Sequence, residues 1–521
     1  MAMDRRTAAR GSPTSSAAAS SAAGLTPAEG SAGPAVAVEI SLARRRMRST
    51  TTRSRISSSA IAQSYASPNP AGLWRRASES PATFVWVGVL RDERDRTIVR
   101  LAVPALGTLA VEPLYVLVDT AIVGHLGTSA LAGLGIASLV LLTLVGLVSF
   151  LEYTLTPQIA YAHGAGRDDE AKRAATDGLW LSLGLGLGVA VVIGSVARPL
   201  AWLIGGRGAV LDAASTYLRI SAVGLPFILV ALLGHGVMRG LNDLRKPLVI
   251  VAVANVANVV FEILAVYVMH LGIAGSAWST VIVQIIAAMW FLSVLKPHLA
   301  RVKPSWLRLQ PTLRSGGHLT LRALGMYAVW IASVVIAARI DTPTLAAQQI
   351  ITQVFTFLAL VLDCFAIPAQ SLVAGALGAG EVEEAMSIGW ACNRLSLWAG
   401  GVIAVGLAGG GYFISAAFSG DHAVITRATV GFIILAVMQI PGAIAFALDG
   451  ALIGARDEKF LGRRAWFNLV AFVPLAIATV IWPRLGIAGL WGAQLSWMTI
   501  RAWANGRRFA SKAWQGNFEH V

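Results

Sequence analysis

The sequence predicts an all-α polytopic membrane protein, with twelve transmembrane helices in two six-helix lobes related by a pseudo-twofold axis. Three observations carry that expectation. The 521 residues are 56% hydrophobic and only 13% charged, with a mean hydropathy of +0.66, which leaves too little polar surface to cover a soluble body of this size. Twelve apolar runs follow one another, each near or above the roughly 20 residues that a spanning helix needs. Four short motifs also recur in register at a constant offset of 214 residues.

Residues 1–95 are read as an N-terminal extension outside the membrane body. Its first 80 residues are rich in Ser, Ala and Arg, with Asp4, Glu29, Glu39 and Glu79 as their acids, so they cannot bury a core and are expected to be disordered. No apolar stretch follows the basic residues as a secretory signal would require. An Arg- and Ser-rich, acid-poor leader also fits an organelle transit peptide, and this is kept as the alternative to a dispensable extension. The run Thr83–Leu90 is too short to span and is placed at the interface. The charged hexapeptide Arg91–Arg96 marks the cytoplasmic edge.

Apolar runs then fall at about 98–123, 129–158, 174–200, 212–238, 247–270 and 273–296, and at about 318–340, 345–377, 384–416, 423–454, 460–482 and 486–506. Residues 96–296 form the first lobe, 297–316 a basic cytoplasmic linker, 317–508 the second lobe and 509–521 a cytoplasmic tail. The loops after even-numbered spans are basic, with Arg167, Lys172 and Arg173, then Arg239, Arg245 and Lys246, then Arg301 to Arg314, then Arg456 to Arg464. Loops after odd-numbered spans carry at most one such residue, as at Arg207, Arg427 or Arg484. Positive charge stays inside, so both termini are expected in the cytoplasm.

The repeat is specific. Gly164-Ala165-Gly166 returns as Gly378-Ala379-Gly380 and Glu170-Ala171 as Glu384-Ala385. Gly236, Gly240 and Asp243 return as Gly450, Gly454 and Asp457, and the pentapeptide at 271–275 returns at 485–489. Six spans per repeat give both halves the same orientation, and an axis along the membrane normal is a common transporter plan.

Chemistry is expected where the halves differ. The first span carries Glu112 and Asp119, with Tyr115 between them and Pro104 and Pro113 in the run. A seven-residue spacing places the two acids on one helical face. A carboxylate at mid-membrane costs about 2.5–3.5 kcal/mol, and proline removes a backbone donor and makes a bend or hinge. In the fifth span Asn255, Asn258 and Glu262 form one polar stripe, and in the sixth Ser276, Thr280 and Gln284 form another. At the 214 offset Asn258 maps onto Phe472 and Glu262 onto Ala476. Asp119, Asn258, Glu262 and Thr280 are therefore the proposed proton- or cation-coupling set. Glu112, Tyr115, Asn255, Ser276, Asp363 and Asp449 are additional candidates, the last two as a separate site in the second lobe. The bland alternative is that such groups glue helices together.

Other classes are excluded on equally plain grounds. A net charge of +15 does not imply nucleic acid here, because residues 1–98 alone hold fourteen Arg against seven acids. Cys364 and Cys392 lie in apolar stretches without CxxC spacing, so neither a disulfide framework nor a thiolate metal site is indicated. His125, His235 and His270 lack ligand-like spacing. The glycines at 184–188 have no strand before them, and no Walker motif appears, so neither a nucleotide fold nor ATP is implied. The interior offers acids rather than Arg clusters, and no nucleophile–base or metal cluster suggests an enzyme.

The segment Leu101–Ala137 resembles the opening helix and loop of the multidrug and toxic compound extrusion (MATE) transporters, in their DinF-like branch. Arg239–Leu248 and Gly272–Ile282 are similar to that family's segments around the fourth to sixth helices. The resemblance covers roughly residues 95–510. It implies a twelve-helix, two-lobed fold and cation-coupled export of small organic compounds, cationic or amphipathic. It implies a first-lobe proton site made by Asp119, Asn258, the acid at 262 and Thr280, with Pro104 as the proline linked to helix bending. Position 262 is Glu where the family commonly has Asp, and Glu112 is an acid that the pattern does not require. The expectation is an antiporter driven by H⁺ or Na⁺ with no cofactor and no metal. Its partners are membrane lipid and substrate but no nucleic acid, and a monomer is expected. It is placed in a bacterial inner membrane, with an organelle membrane as the alternative. The competing function is a lipid-linked oligosaccharide flippase or a specific metabolite exporter of the same superfamily; a flippase would more often show fourteen spans and a basic central cavity.

Overall fold

The structure is a computed structural model, and it describes residues 92–515. The expectations placed on residues 1–91, on the tail beyond 515 and on the Glu112 side chain lie outside the described residues.

Among the described residues, twelve long helices account for the membrane body. They are α1 (Glu93–Gly124), α2 (Thr128–Gly164, with a break at Ser149), α3 (Asp168–Ile204), α4 (Gly208–Gly240), α5 (Arg245–Val268), α6 (Gly272–Leu295), α7 (Trp306–Ile340), α8 (Thr342–Gly378), α9 (Val382–Phe418), α10 (His422–Gly454), α11 (Glu458–Ile481, with a break at Asn468) and α12 (Gly486–Ala510). Eleven of these are long and apolar enough to cross a bilayer by length and composition. The twelfth, α12, falls short in hydropathy because Arg501, Arg507 and Arg508 and several glycines lie within it. Among the described residues there is no strand.

The 214-residue offset is written into the helix ends. Helices α2 and α8, α3 and α9, and α4 and α10 match at both ends under that shift, and the other three pairs match to within two residues. The turns match too. Gly166 and Gly380 follow α2 and α8 with φ of 69° and 79°, a left-handed conformation that glycine takes without a Cβ penalty.

The repeat is not perfect. Helix α5 ends in a π-helical turn, Leu264–Val268, directly after Glu262, whereas its counterpart α11 ends in ordinary α-helix. π-Turns concentrate at functional positions because they re-aim the side chains around them. The linker is also shorter than expected. Helix α7 starts at Trp306, so its first three turns are cut from residues read as linker.

The hydrophobic cores show how the lobes meet. At the end that carries the basic loops, Ile98, Leu101, Ala102 and Ala105 of α1 pack into one cluster with Phe365 and Ile367 of α8 and Leu448 of α10. At the opposite end the lobes keep separate clusters, one built on Leu134, Tyr217 and Leu218 and the other on Ile351, Phe432 and Trp491. The polar bonds between lobes follow the same division. Arg94 of α1 forks onto Glu384 at 2.9 and 2.8 Å, and Arg394 of α9 forks onto Asp95 at 2.5 and 2.6 Å. Gln370 of α8 donates to the Tyr153 carbonyl of α2 at 2.7 Å. Between these, α2 and α8 touch backbone to backbone: a Cβ on Gly164 would sit 2.0 Å from the Gly375 carbonyl oxygen, and one on Gly378 would sit 2.0 Å from that of Tyr161. The two glycines are repeat partners, so the contact obeys the pseudo-twofold axis. The lobes are thus clamped at the basic-loop end.

Candidate functional site

Helices α1, α4, α5 and α6 bring one polar cluster together inside the first lobe. Asp119 of α1 is buried and accepts a hydrogen bond from Ser276 Oγ of α6 at 2.8 Å. One helical turn earlier, the Tyr115 hydroxyl and Thr280 Oγ1 are 2.9 Å apart. Asn258 of α5 donates to that same Thr280 hydroxyl at 3.3 Å. Glu262, one turn beyond Asn258, is 0% exposed, and its carboxyl is set against Asp119. Neither Glu262 oxygen receives a hydrogen bond from a donor group. The spacing is simple helix geometry: steps of four on α1, α5 and α6 keep each helix's polar groups on its inward face.

Tyr217 of α4 completes the cluster and was not singled out in the sequence. It is buried, and its hydroxyl lies within electrostatic range of Asp119 and Glu262 on the side of the cluster that carries Ser276 and Thr280. A tyrosine in a long apolar run gives no pattern of its own, so only the neighbouring helices reveal it. Asn255 does not join. Its amide donates to Val251 O of its own helix at 2.8 Å, so it neither joins the cluster nor bridges helices through that bond. Pro104 and Pro113 lie inside a continuous α1, and Thr108 Oγ1 donates to the Pro104 carbonyl at 3.0 Å.

This pocket holds two carboxyls and hydroxyl and amide groups, with no Lys or Arg among its members. Two carboxyls in a low-dielectric space repel if both ionise, so a proton or a small cation is the group that such a pair accommodates.

The second-lobe acids do not form the shared site expected of them. Asp449 of α10 is bound by Arg322 of α7 and by Arg501 of α12 through one oxygen, and by Asn505 at 2.5 Å through the other. Two guanidiniums already fill the place a cation would take. Asp363 stands apart on α8 and is not bonded to Asp449. The interior is therefore not purely acidic. Arg239, expected in a cytoplasmic loop, is buried in the last turn of α4 and paired with Glu152 of α2, with His235 Nδ1 3.9 Å from the same carboxyl. The signal was present in the sequence as a charge within an apolar run: Glu152 in the second, Arg322 in the seventh and Arg501 in the twelfth. Counting charges by loop passed over all three. His235, read as structural, packs its ring against Phe291 with centroids 5.1 Å apart.

A twelve-helix body made of two repeated lobes, with a polar site inside the repeat, is the architecture of a secondary transporter. The comparisons with known proteins narrow this to one family. Residues 104–264 match the family model MatE. The chain is 30% identical to "Protein DETOXIFICATION 44, chloroplastic" of Arabidopsis thaliana, over 79% of this chain and 82% of that protein. It is 26% identical to "DNA damage-inducible protein F" of Escherichia coli K12, over 80% of this chain and 94% of that one. A solved MATE structure "in the bent conformation" superposes with a TM-score of 0.76 at 20% identity, covering 82% of this chain and 97% of the other. The chain belongs to the MATE family of multidrug efflux transporters.

Proposed function

We infer that this chain is a secondary active antiporter that exports small organic, cationic or amphipathic compounds by alternating access, driven by inward movement of H⁺ or Na⁺. The observation that carries this reading is the buried first-lobe pair Asp119 and Glu262, held by Ser276 and otherwise short of donors. One charge crossing the membrane field is worth about 2.3 kcal/mol per 100 mV, enough to drive a concentration gradient. With a proton or cation on the pair, α1 relaxes against α5 and α6; without it, the carboxyls draw in water and α1 moves, with Pro104 and Pro113 supplying the bend. Two conformations biased by one bound ion are what alternating access needs. The clamp at the basic-loop end fits the state that opens away from the cytoplasm, and the basic loops place both termini in the cytoplasm.

Twelve spans favour this over the flippase reading, which more often shows fourteen. A bacterial inner membrane is the proposed location. The match to a relative whose name includes "chloroplastic" keeps an organelle membrane as the second reading. The test is dye and metabolite efflux from vesicles carrying the purified protein, under an imposed pH or Na⁺ gradient. Export that follows one gradient identifies the coupling ion; export indifferent to both overturns the antiport reading.

A further inference from the structure

Helices α9, α10 and α12 enclose a groove of about 1180 Å³ on the second lobe, with α10 as its floor and α9 and α12 as its walls. Its apolar stretch is made by Val405 and Ala408 of α9 and Val437 and Ile440 of α10, all of them exposed. These helices cross the bilayer, so the medium at the groove is lipid. From Trp390 to Ala408 the groove follows α9 for about 27 Å at 1.5 Å per residue, longer than one leaflet's share, about 15 Å, of a hydrocarbon core roughly 30 Å thick. A space of this size does not stay empty, because its lining atoms would lack dispersion partners, and water against apolar walls would lack hydrogen-bond partners. An acyl chain supplies the first and needs none of the second.

The basic-loop end of the groove has a different chemistry. Trp390 of α9 and Trp503 and Arg507 of α12 line it, all exposed, and the Arg507 guanidinium lies over the Trp503 ring at 5.6 Å. Indoles and a cation at a helix end are the set that meets lipid headgroups. Arg501, Arg508 and Lys512 nearby are held by Asp449, Asp457 and Glu383. Arg507 makes no ion pair among the described residues, so its charge is left to what lies at the groove mouth. The repeat shows that the helix frame does not require this set. Under the 214-residue shift Trp390, Trp503 and Arg507 fall on Thr176, Met289 and Ser293. There the linker takes the Thr176 hydroxyl, with Ala300 N donating to it at 2.8 Å and Ala300 O accepting from it at 3.1 Å.

We propose that the groove binds one anionic phospholipid of the leaflet that the basic loops face, with an acyl chain laid between α9 and α12 and the phosphate on Arg507 beside Trp390 and Trp503. A guanidinium donates charge-assisted hydrogen bonds to phosphate oxygens. It repels a cationic compound, and the ammonium of a zwitterionic lipid offsets the gain.

The test is native mass spectrometry of the purified full-length protein in detergent, with phosphatidylglycerol and phosphatidylcholine of identical chains added in competition. One phosphatidylglycerol should be retained per chain in preference to phosphatidylcholine. Arg507→Gln should cut that preference about fivefold, the size of one surface charge acting on an anionic lipid, while Arg507→Lys keeps most of it. Arg463→Gln removes an exposed charge from α11, outside the groove, and should change nothing. Ala408→Trp fills the apolar stretch and should weaken retention of both lipids with Arg507 intact. Equal retention of the two lipids by the wild type would mean that bulk lipid merely wets the groove, and overturns the proposal. So does a preference undiminished in both Arg507→Gln and Ala408→Trp, or one that Arg463→Gln lowers as much as Arg507→Gln. A cationic dye whose binding Ala408→Trp abolishes, with phosphatidylglycerol retention unchanged, would make the groove a substrate path and overturns it too.

Discussion

The first-lobe pocket turns on single atoms. Asp119 touches Ser276, Glu262 is fully buried against it, and the Thr280 hydroxyl ties Tyr115 to Asn258. Asp119→Asn keeps the shape and the hydrogen bond from Ser276 but removes the ionisable group. It should therefore abolish pH-gradient-driven dye efflux from vesicles while leaving membrane abundance and elution on gel filtration unchanged. Glu262→Gln should lower the rate at least partly, and Glu262→Asp should retain it, because acidity is preserved on a shorter arm. Wild-type rates from Asp119→Asn would remove the first-lobe mechanism. Asp119, Asn258, Glu262 and Thr280 were legible in the sequence because each is polar in an apolar run at helical spacing. Tyr217 was not, since its role comes from a helix packed across the pocket. The Asp449 environment was misjudged for a related reason: the partners that neutralise it, Arg322 and Arg501, lie far along the chain on α7 and α12.

At the scale of helices, the repeat made most of the frame readable. In the structure both ends of three helix pairs coincide under the constant offset, which the apolar runs alone place less evenly, and the repeated Gly-Ala-Gly motif falls at the ends of α2 and α8. What the motif does there was hidden. Small residues at membrane helix contacts are a general expectation, but only the folded chain shows that Gly164 and Gly378 meet the opposite lobe's carbonyls, with no room for a Cβ. That geometry predicts a conformational phenotype rather than a folding one, because each glycine's tight contact is with the other lobe. Gly164→Val and Gly378→Val should each insert at normal abundance yet fail to close the basic-loop end. Cysteines replacing Arg94 and Glu384, which now bond across the lobes, provide the readout: they should cross-link readily in the parent chain and poorly in either valine variant. Equal cross-linking would mean that the helices slide to accommodate the side chain. The start of α7 at Trp306 was less legible, since Lys, Arg and Pro dominate that stretch and its helix is held by packing on the first lobe. Arg308, for example, bonds Asp177 at 2.7 Å.

Across the whole molecule, the described bonds between lobes gather at one end, and they include Arg94 and Asp95, which belong to α1 although the sequence reading counted them with the extension. A chain beginning at Arg91 should therefore insert and export at the full-length rate, measured per transporter in vesicles; lost export at equal abundance would give residues 1–90 a role in transport. The clamp itself makes a stricter prediction. Asp95 is 1% exposed, and both its oxygens are held by Arg394 at 2.5 and 2.6 Å. Arg394 is itself 40% exposed, so losing it costs about 0.2–1 kcal/mol, the range of exposed pairs. The cost falls on the clamped state, because the pair is made only when the lobes meet at this end. At roughly 1.4 kcal/mol per tenfold, a loss of that size changes a two-state ratio by up to about fivefold. Arg394→Ala should therefore shift the resting equilibrium toward the state open at the basic-loop end. Spin labels at the starts of α1 and α9 would report it as a longer, broader distance distribution. The exchange Asp95→Arg with Arg394→Asp restores the pair in reverse and should bring the short distance back. That rescue separates the ion pair from simple loss of a side chain, and an Arg394→Ala distribution identical to wild type would show that hydrophobic packing around Ile98 and Leu101 holds the lobes together without it.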